Sequence, residues 1–458
     1  MEKLSLNFYG GVGSTTGANI MFNFNNRRIL VDCGLIQGGR EAEEKNFLDF
    51  GYDPSSVDFL LITHAHMDHI GRIPKLVREG FKGRIISTQE TKDLANPMLH
   101  DALKVMRVRH KNREMFDEKD IDKSLSLWEG FDYDEKIDLF PDCSLKMINA
   151  GHILGSAIIN VTCGGKTVAF TGDLGNSPSP LLPDNEFPVK ADYLVMESVY
   201  GDRNHETKKE RREKLKEALI DGIEKRGTIV IPAFSIERTQ VLLYEINNMV
   251  EDGEIAQVPV FLDSPLASKV TAIYQKYKER FKESVKDEIK AGDDIFDFPN
   301  LKIVRDVSES SQIENVKGSK IVIAGSGMSE GGRVINHEAN NLGDPNATII
   351  LVGYQSVGSL GRKIQDKNKE LTVNGKKIKV KATIKNIFGY SSHKDSDNLL
   401  EFVEKTAGIS EENDKGNLKK VFVIMGEPKS SLFLVQRIKD YLDIEAVYPE
   451  EGREYKLI

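Results

Sequence analysis

Short apolar runs recur along the chain and alternate with charged stretches of helical pattern. A turn at Asn26-Arg27-Arg28 leads into Ile29-Leu30-Val31-Asp32, an apolar strand that ends on a carboxylate. Phe59-Leu60-Leu61-Ile62-Thr63 is a second such strand. From about 91 to 123 the pattern is helical and highly charged, with few glycines or prolines, which predicts a helical insertion. Strands resume at 145–149, 157–162 and 167–171, and a charged helix is predicted over 206–225. There follow a strand at 228–231 with a helix from about Arg238, and a strand at 258–262 with a helix from about Leu266. Further strands fall at Lys320–Ala324 and Thr348–Val352. Apolar strands separated by amphipathic helices imply a parallel sheet covered on both faces. From Lys376 the strands return to the character of the first part and close with a strand at 421–424 and a helix from about Ser431. The pattern predicts one α/β domain interrupted by another: 1–204, an inserted domain over 205–368, and a return over 369–458.

Length agrees with two domains, since 458 residues exceed what one core usually organises. No window approaches the roughly 20 apolar residues of a membrane helix. The opening MEKLSLNFYGGVGS has acid and polar residues where an export signal needs an apolar core, so the expected address is cytoplasmic, with no membrane partner. Cys33, Cys143 and Cys163 are scattered and form no CxxC pair, so each reads as a small buried apolar residue and not as part of a disulfide or a thiolate metal site. A net charge of −8 argues against bulk binding to nucleic acid and requires any polyanion site to be local. Lys376-Lys377-Ile378-Lys379-Val380-Lys381, with Lys385 beyond, is one local candidate; it fits the solvated face of an edge strand equally well.

Thr63-His64-Ala65-His66-Met67-Asp68-His69 places three histidines and an aspartate within six residues of a strand end. Imidazole and carboxylate ligands must converge within about 2 Å of a zinc ion, and a loop leaving a strand can turn such side chains toward two neighbouring centres. That density points to a metal hydrolase without choosing its substrate.

The HxHxDH order at 64–69 resembles the signature of the metallo-β-lactamase superfamily. His152 in Ala150-Gly151-His152 and Asp173 in Thr171-Gly172-Asp173 match that family's later ligand motifs, and Asp32 matches a carboxylate that hydrogen-bonds the ligand loop. The resemblance implies an αββα sandwich with zinc, one or two ions per chain. One ion takes His64, His66, His152 and Asp173; the other takes Asp68, His69 and Asp173. Two metals about 3.5–4 Å apart can hold a hydroxide between them and neutralise charge on a phosphoryl group.

Glu197 in Met196-Glu197-Ser198-Val199-Tyr200-Gly201 and His393 in Tyr390-Ser391-Ser392-His393-Lys394-Asp395 resemble the β-CASP branch, nucleases whose hydrolase domain carries an inserted α/β domain of mainly parallel sheet. Pro232-Ala233-Phe234-Ser235, Asp263-Ser264-Pro265-Leu266-Ala267 and the 325–333 segment GSGMSEGGR are similar to segments of its bacterial and archaeal ribonucleases. More distantly they resemble the endonuclease subunit of the pre-mRNA 3′-end cleavage machinery. The resemblance implies hydrolysis of single-stranded RNA, with Asp68 at the reacting centre, His393 as general acid and Glu197 orienting it. A histidine held beside a carboxylate keeps its proton near neutral pH. Ser326 and Arg333 in the glycine loop, and Ser391 and Ser392, are candidate phosphate contacts. A homodimer stays open.

Met425 departs from the family. The strand ending Ile424-Met425-Gly426-Glu427 matches one that ends His-Gly-Glu in RNA-acting relatives, where the histidine completes the second metal site. A thioether is a soft ligand, so Met425 is expected to pack beside the site and leave the second ion weakly held. Two alternatives follow: a non-catalytic or weakly active RNA-binding homologue, or a DNA-acting nuclease. DNA-acting members tend to carry an apolar residue here but aspartate at the acid position, so Glu197 leans toward RNA.

Overall fold

The computed structural model describes residues 3–110, 113–188, 190–356, 358–409 and 416–458. It divides into two compact units: 1–179 with 184–204 and 393–458, and 180–183 with 205–392.

Two seven-stranded sheets form the first unit. In spatial order, one holds Glu454–Leu457, Leu4–Gly10, Asn19–Phe24, Arg27–Val31, Phe59–Leu61, Arg84–Thr88 and Trp128–Phe131. The other holds Ala446–Val447, Lys420–Ile424, Tyr193–Glu197, Lys166–Phe170, Ala157–Cys163, Cys143–Asn149 and Lys136–Phe140. Their facing sides share one apolar cluster that includes Phe8, Phe22, Ile29, Ile159, Phe170 and Phe422. Because side chains alternate along a strand, the other face of the second sheet presents Leu194, Met196, Val421 and Val423. These pack against Phe402, Leu434 and Ile438 of the helices Ser396–Ala407 and Pro428–Leu442. Burial on both faces explains why these strands read as unbroken apolar runs. Each such side chain taken out of water contributes about 1.5–3 kcal/mol before entropy is counted. Helices Gln89–Arg109 and Glu118–Ser126, the latter closed by an Asp117 capping box, occupy the predicted helical insertion. The longer helix packs beside Arg84–Thr88 and Trp128–Phe131, which completes a helix–sheet–sheet–helix sandwich.

The second unit is built on a six-stranded sheet ordered Leu301–Ile303, Val260–Asp263, Lys320–Ala324, Thr228–Pro232, Thr348–Val352, Thr383–Ile387, and every neighbouring pair is parallel. A separate antiparallel hairpin pairs Glu370–Val373 with Lys376–Lys379.

Two expectations need correction. Thr383–Ile387 lies at the edge of the parallel sheet, so the chain returns to the first unit at His393 and not at 369. Edge placement leaves Thr383–Ile387 half-exposed, which gives it the mixed pattern of the first part. Cys143 and Cys163 face each other in register on neighbouring antiparallel strands and are joined as a disulfide; a separation of 20 residues offers no CxxC signal. Cys33 is free and buried. Among the described residues no helix is long and apolar enough to cross a membrane.

Candidate active site

The donor residues of the first unit follow the ends of its strands. Asp32 follows Arg27–Val31, the His64–His69 loop follows Phe59–Leu61, and His152 follows Cys143–Asn149. Asp173 follows Lys166–Phe170, Glu197 ends its own strand, and Met425 follows Lys420–Ile424. Strand ends are rigid, and the loops beyond them supply the turns that let side chains converge.

Asp32 braces the ligand loop. It accepts hydrogen bonds from the Thr63 backbone N–H at 2.9 Å and the Thr63 hydroxyl at 2.8 Å. Its Oδ2 also lies 2.7 Å from His69 Nδ1, which turns His69 Nε2 the other way. Thr63 Oγ1 stands 3.1 Å from His64 Nδ1, so one hydroxyl positions two parts of the loop. Gly34 is required by close approach, since a Cβ there would sit 1.5 Å from the Asp68 carbonyl; that carbonyl accepts from the Ala18 N–H at 2.9 Å. Asp32→Ala is expected to lower metal affinity about 10- to 100-fold, measured by competition with a chromogenic chelator. An unchanged affinity would mean that Asp32 serves only the backbone.

Two donor sets meet at Asp173. His64, His66, His152 and Asp173 form the first, and Asp68, His69 and Asp173 the second; in each, one ligand atom per residue lies within 4.8 Å of the others. In the first, His66 Nδ1 is 3.1 Å from His64 Nε2 and 3.2 Å from His152 Nε2. Asp173 Oδ2 is 3.5 and 3.6 Å from the same two Nε2 atoms. Nitrogens each about 2.0–2.1 Å from a tetrahedral ion stand roughly 3.3 Å apart, so the spacing fits one cation. Burial pushes His64, His66 and His152 down, the last two strongly, which leaves neutral rings with lone pairs to offer.

In the second set, His69 Nε2 and Asp173 Oδ1 face each other at 3.3 Å, both buried and, among the described residues, both without a hydrogen-bond partner. Buried polar atoms rarely stay unpaired, and a cation between them satisfies both. Asp68 Oδ2 is 4.0 Å from the same His69 nitrogen. Burial opposes ionisation of Asp173, but the His69 and His393 charges outweigh it and hold the carboxyl well below its usual range. His69 is the reverse case: burial disfavours its charge, and Asp173 and Asp32 restore it strongly. Burial raises Asp68.

His393 is located by main-chain pairing. A backbone bridge joins it to Gly175, and the Lys394 N–H donates to the Leu174 carbonyl at 3.0 Å. Its Nδ1 lies 3.2 Å from both Glu197 oxygens and 3.8 Å from Asp173 Oδ2. Glu197 is buried and accepts from the Leu174 N–H at 2.6 Å. Burial disfavours the imidazolium, yet Glu197 and then Asp173 raise the His393 pKa to about 9. Burial raises Glu197 in turn.

Met425 is 2% exposed and belongs to the apolar cluster between the sheets. It lines a small cavity with His69, Asp32, Thr171 and Glu197. A Cβ on Gly11 would come 2.8 Å from its sulfur, so the thioether is tightly packed.

The candidate phosphate contacts belong to the second unit. Ser391 is buried and Ser392 half-buried. In the loop 325–333, the Ser326 hydroxyl accepts from the Glu330 N–H at 3.1 Å. Arg333 donates to Asp263 at 2.6 Å and to the carbonyls of Val304 and Arg305. Its guanidinium is thus engaged in bracing the loop, and the N–H groups of Ser326, Ser329 and Glu330 are likewise taken up within the loop. His337 adds a second clamp on Asp263 at 2.7 Å. Sequence reasoning included Thr63 and Asp263 in its motifs without assigning either a role, and it missed His337. Thr63 lies inside the histidine motif and Asp263 at a strand end, but a hydroxyl and a lone carboxylate give no signal by type.

Residues 19–232 match the family model described as the metallo-beta-lactamase superfamily, 239–364 the Beta-Casp domain, and 377–449 the Zn-dependent metallo-hydrolase RNA specificity domain. The chain is 35% identical to a ribonuclease of Thermus thermophilus over 86% of this chain and 90% of that one. It is 30% identical to an RNase J-like protein of Methanocaldococcus jannaschii over 98% of both. It is 34% identical to the transcription termination factor FttA of Methanococcus maripaludis over 83% of this chain, spanning 62% of that protein. A solved structure of an Enterococcus faecalis protein of unknown function aligns with a TM-score of 0.58 at 14% identity, over 99% of this chain and 100% of that one.

Proposed function

Because the chain belongs to the β-CASP family of the metallo-β-lactamase superfamily, we propose that it is a zinc-dependent ribonuclease that hydrolyses phosphodiester bonds of single-stranded RNA. The observation that carries this reading is the meeting, at Asp173, of two metal donor sets and a histidine–carboxylate pair. RNA as substrate is supported by the ribonuclease and RNase J-like relatives and by the match over 377–449. Zinc suits three imidazoles and a carboxylate. When bound, the metal supplies Lewis acidity that activates water and offsets phosphoryl charge.

The chain's own residues divide the remaining work. Asp68, with its side chain 18% exposed, orients the attacking water and receives its proton in this reading. His393, with its side chain 22% exposed, donates a proton to the departing oxygen. Glu197 fixes the His393 ring through Nδ1 and sustains its charge. Within the second unit, the glycine loop 325–333 is the candidate phosphate contact, through those of its backbone N–H groups that the loop does not use itself.

Met425 makes the two metal sites unequal. The first set has three histidines of its own, while the second has only Asp68 and His69 besides the shared Asp173. Met425→His is expected to tighten the second ion about tenfold or more and to raise the turnover rate. If occupancy and rate both stay unchanged, position 425 does not govern that site.

Metal analysis of the purified protein, together with cleavage assays on single-stranded RNA and DNA of matching sequence, tests the reading. Between one and two zinc ions per chain are expected, with RNA cut by the wild type and not by Asp68→Ala. Absence of metal, or cleavage that persists in the variant, overturns it. Cleavage of DNA alone assigns the chain to the DNA-acting alternative.

A further inference from the structure

We propose that the lysine-rich hairpin at 370–379 of the second unit is a docking surface for the sugar–phosphate backbone of single-stranded RNA. The inference rests on the reading of RNA as substrate and adds a contact surface to it. Residues 362–385 hold nine cations, Arg362 and eight lysines, against two acids, Asp366 and Glu370. That is a local net of +7 in a chain whose total is −8.

The hairpin presents this charge on a fixed frame. Asn374 and Gly375 take positive φ at its turn, the conformation a two-residue hairpin connection needs. Leu371 and Val373 are buried in the apolar cluster of the second unit, and Ile378 packs against it. The Asn374 amide donates to Asn336 Oδ1 at 3.0 Å. With Leu371 and Ile378 paired and turned inward, the cross-strand pairs Thr372–Lys377 and Glu370–Lys379 face outward. Lys363, Lys367, Lys369, Lys376, Lys379 and Lys381 are exposed, and among the described residues none of the six lies within 4.0 Å of a carboxylate. By contrast, Lys385 pairs with Asp221 at 2.7 Å and Lys377 approaches Glu370 at 4.0 Å.

Protection of a sheet edge does not call for this much charge. Edges are blunted by one or two charges or a bulge, whereas here lysines occupy the outward face and both flanking segments. Uncompensated like charges repel one another and favour a partner of opposite sign. Repeated negative charge along a flexible strand is the chemistry of a nucleic-acid backbone, which binds by displacing counterions.

Binding of poly-uridine RNA is measured by fluorescence anisotropy across a salt series for the wild type, for Lys376, Lys377 and Lys379 all changed to Gln, and for the same three changed to Arg. Hydrolysis of a small chromogenic phosphodiester and the melting temperature are followed in parallel. The Gln variant is expected to raise Kd about tenfold and to flatten the salt slope by about 2, since a single strand releases roughly 0.7 counterion per phosphate contact. The Arg variant is expected to bind as the wild type, and all three proteins to melt and to hydrolyse the small diester alike. Equal RNA binding and salt slope in the Gln variant overturn the inference, as does equal loss in the Arg variant, which would signal shape and not charge. Binding to phosphatidylserine-containing vesicles is measured on the same proteins; loss of vesicle binding in the Gln variant with RNA binding intact overturns the inference in favour of a membrane partner. A wild type that binds RNA through the hairpin but cleaves nothing sinks the ribonuclease reading alone; intact cleavage with equal binding sinks the hairpin alone.

Discussion

Asp173→Ala is expected to remove RNA cleavage and most bound metal together. Asp173 offers an oxygen to each donor set, Oδ2 toward His64 and His152 and Oδ1 toward His69. Every other donor serves one set. Its loss leaves three neutral imidazoles on one side and, on the other, a His69 whose Nε2 has lost its facing carboxylate while Nδ1 keeps Asp32. Metal catalysis provides several kcal/mol of transition-state stabilisation, and each 1.36 kcal/mol is a factor of ten in rate, so kcat/KM is expected to fall at least about 10³-fold. Asp173→Asn separates charge from shape: it keeps the volume and one oxygen but removes the carboxylate charge that holds His69 protonated in the metal-free chain. It is expected to retain the fold and lose the metal. Mass-spectrometric metal content and single-turnover cleavage read both effects. Full metal content in the Ala variant would deny Asp173 its shared position.

His393→Ala is expected to slow cleavage about 10²- to 10⁴-fold, the range for loss of a general acid, with metal content unchanged. The pH profile carries the sharper test. A proton donor acts in its charged form, so its contribution is present below its pKa and disappears above it. Glu197 and Asp173 overcome burial to place that pKa at about 9, which sets an alkaline limb near 9 in the metal-free electrostatics. Cations bound at either donor set shift the limb to lower pH by repelling the imidazolium. Glu197→Gln removes the largest stabilising charge and should move the limb lower still, while His393→Ala should abolish it. Because the two residues act as one unit, the double variant should lose little beyond His393→Ala. An alkaline limb that survives in His393→Ala would assign the proton to another group.

The site was legible in the sequence where its residues are close together. Six positions from His64 to His69 carry four metal-type side chains, and no tertiary knowledge is needed to read them. His393 and Glu197 are 196 residues apart, and only resemblance brought them together; their meeting depends on a backbone bridge to Gly175 that leaves no trace in residue type. The fold was legible where strands are buried on both faces, as in Lys320–Ala324 and Thr348–Val352. It failed at Thr383–Ile387, whose edge position mimics the alternation of another kind of sheet. Arg333 illustrates a further limit. An arginine in a glycine loop suggests a free guanidinium, and nothing local reveals that Asp263, 70 residues earlier, engages it.

The two ends of the chain meet in the first sheet, where Leu4–Gly10 pairs with Glu454–Leu457. In the second sheet, Tyr193–Glu197 pairs with Lys420–Ile424. Both sheets of the first unit therefore lack strands until the last part of the chain has been synthesised. During translation one edge of Leu4–Gly10 and one edge of Tyr193–Glu197 lack their partner strands, while the six strands between 228 and 387 emerge as a contiguous set. The later-numbered unit is thus the first able to complete itself on the ribosome. The open strand edges of the first unit wait longest for their partners, which makes the nascent chain dependent on whatever shields them until then.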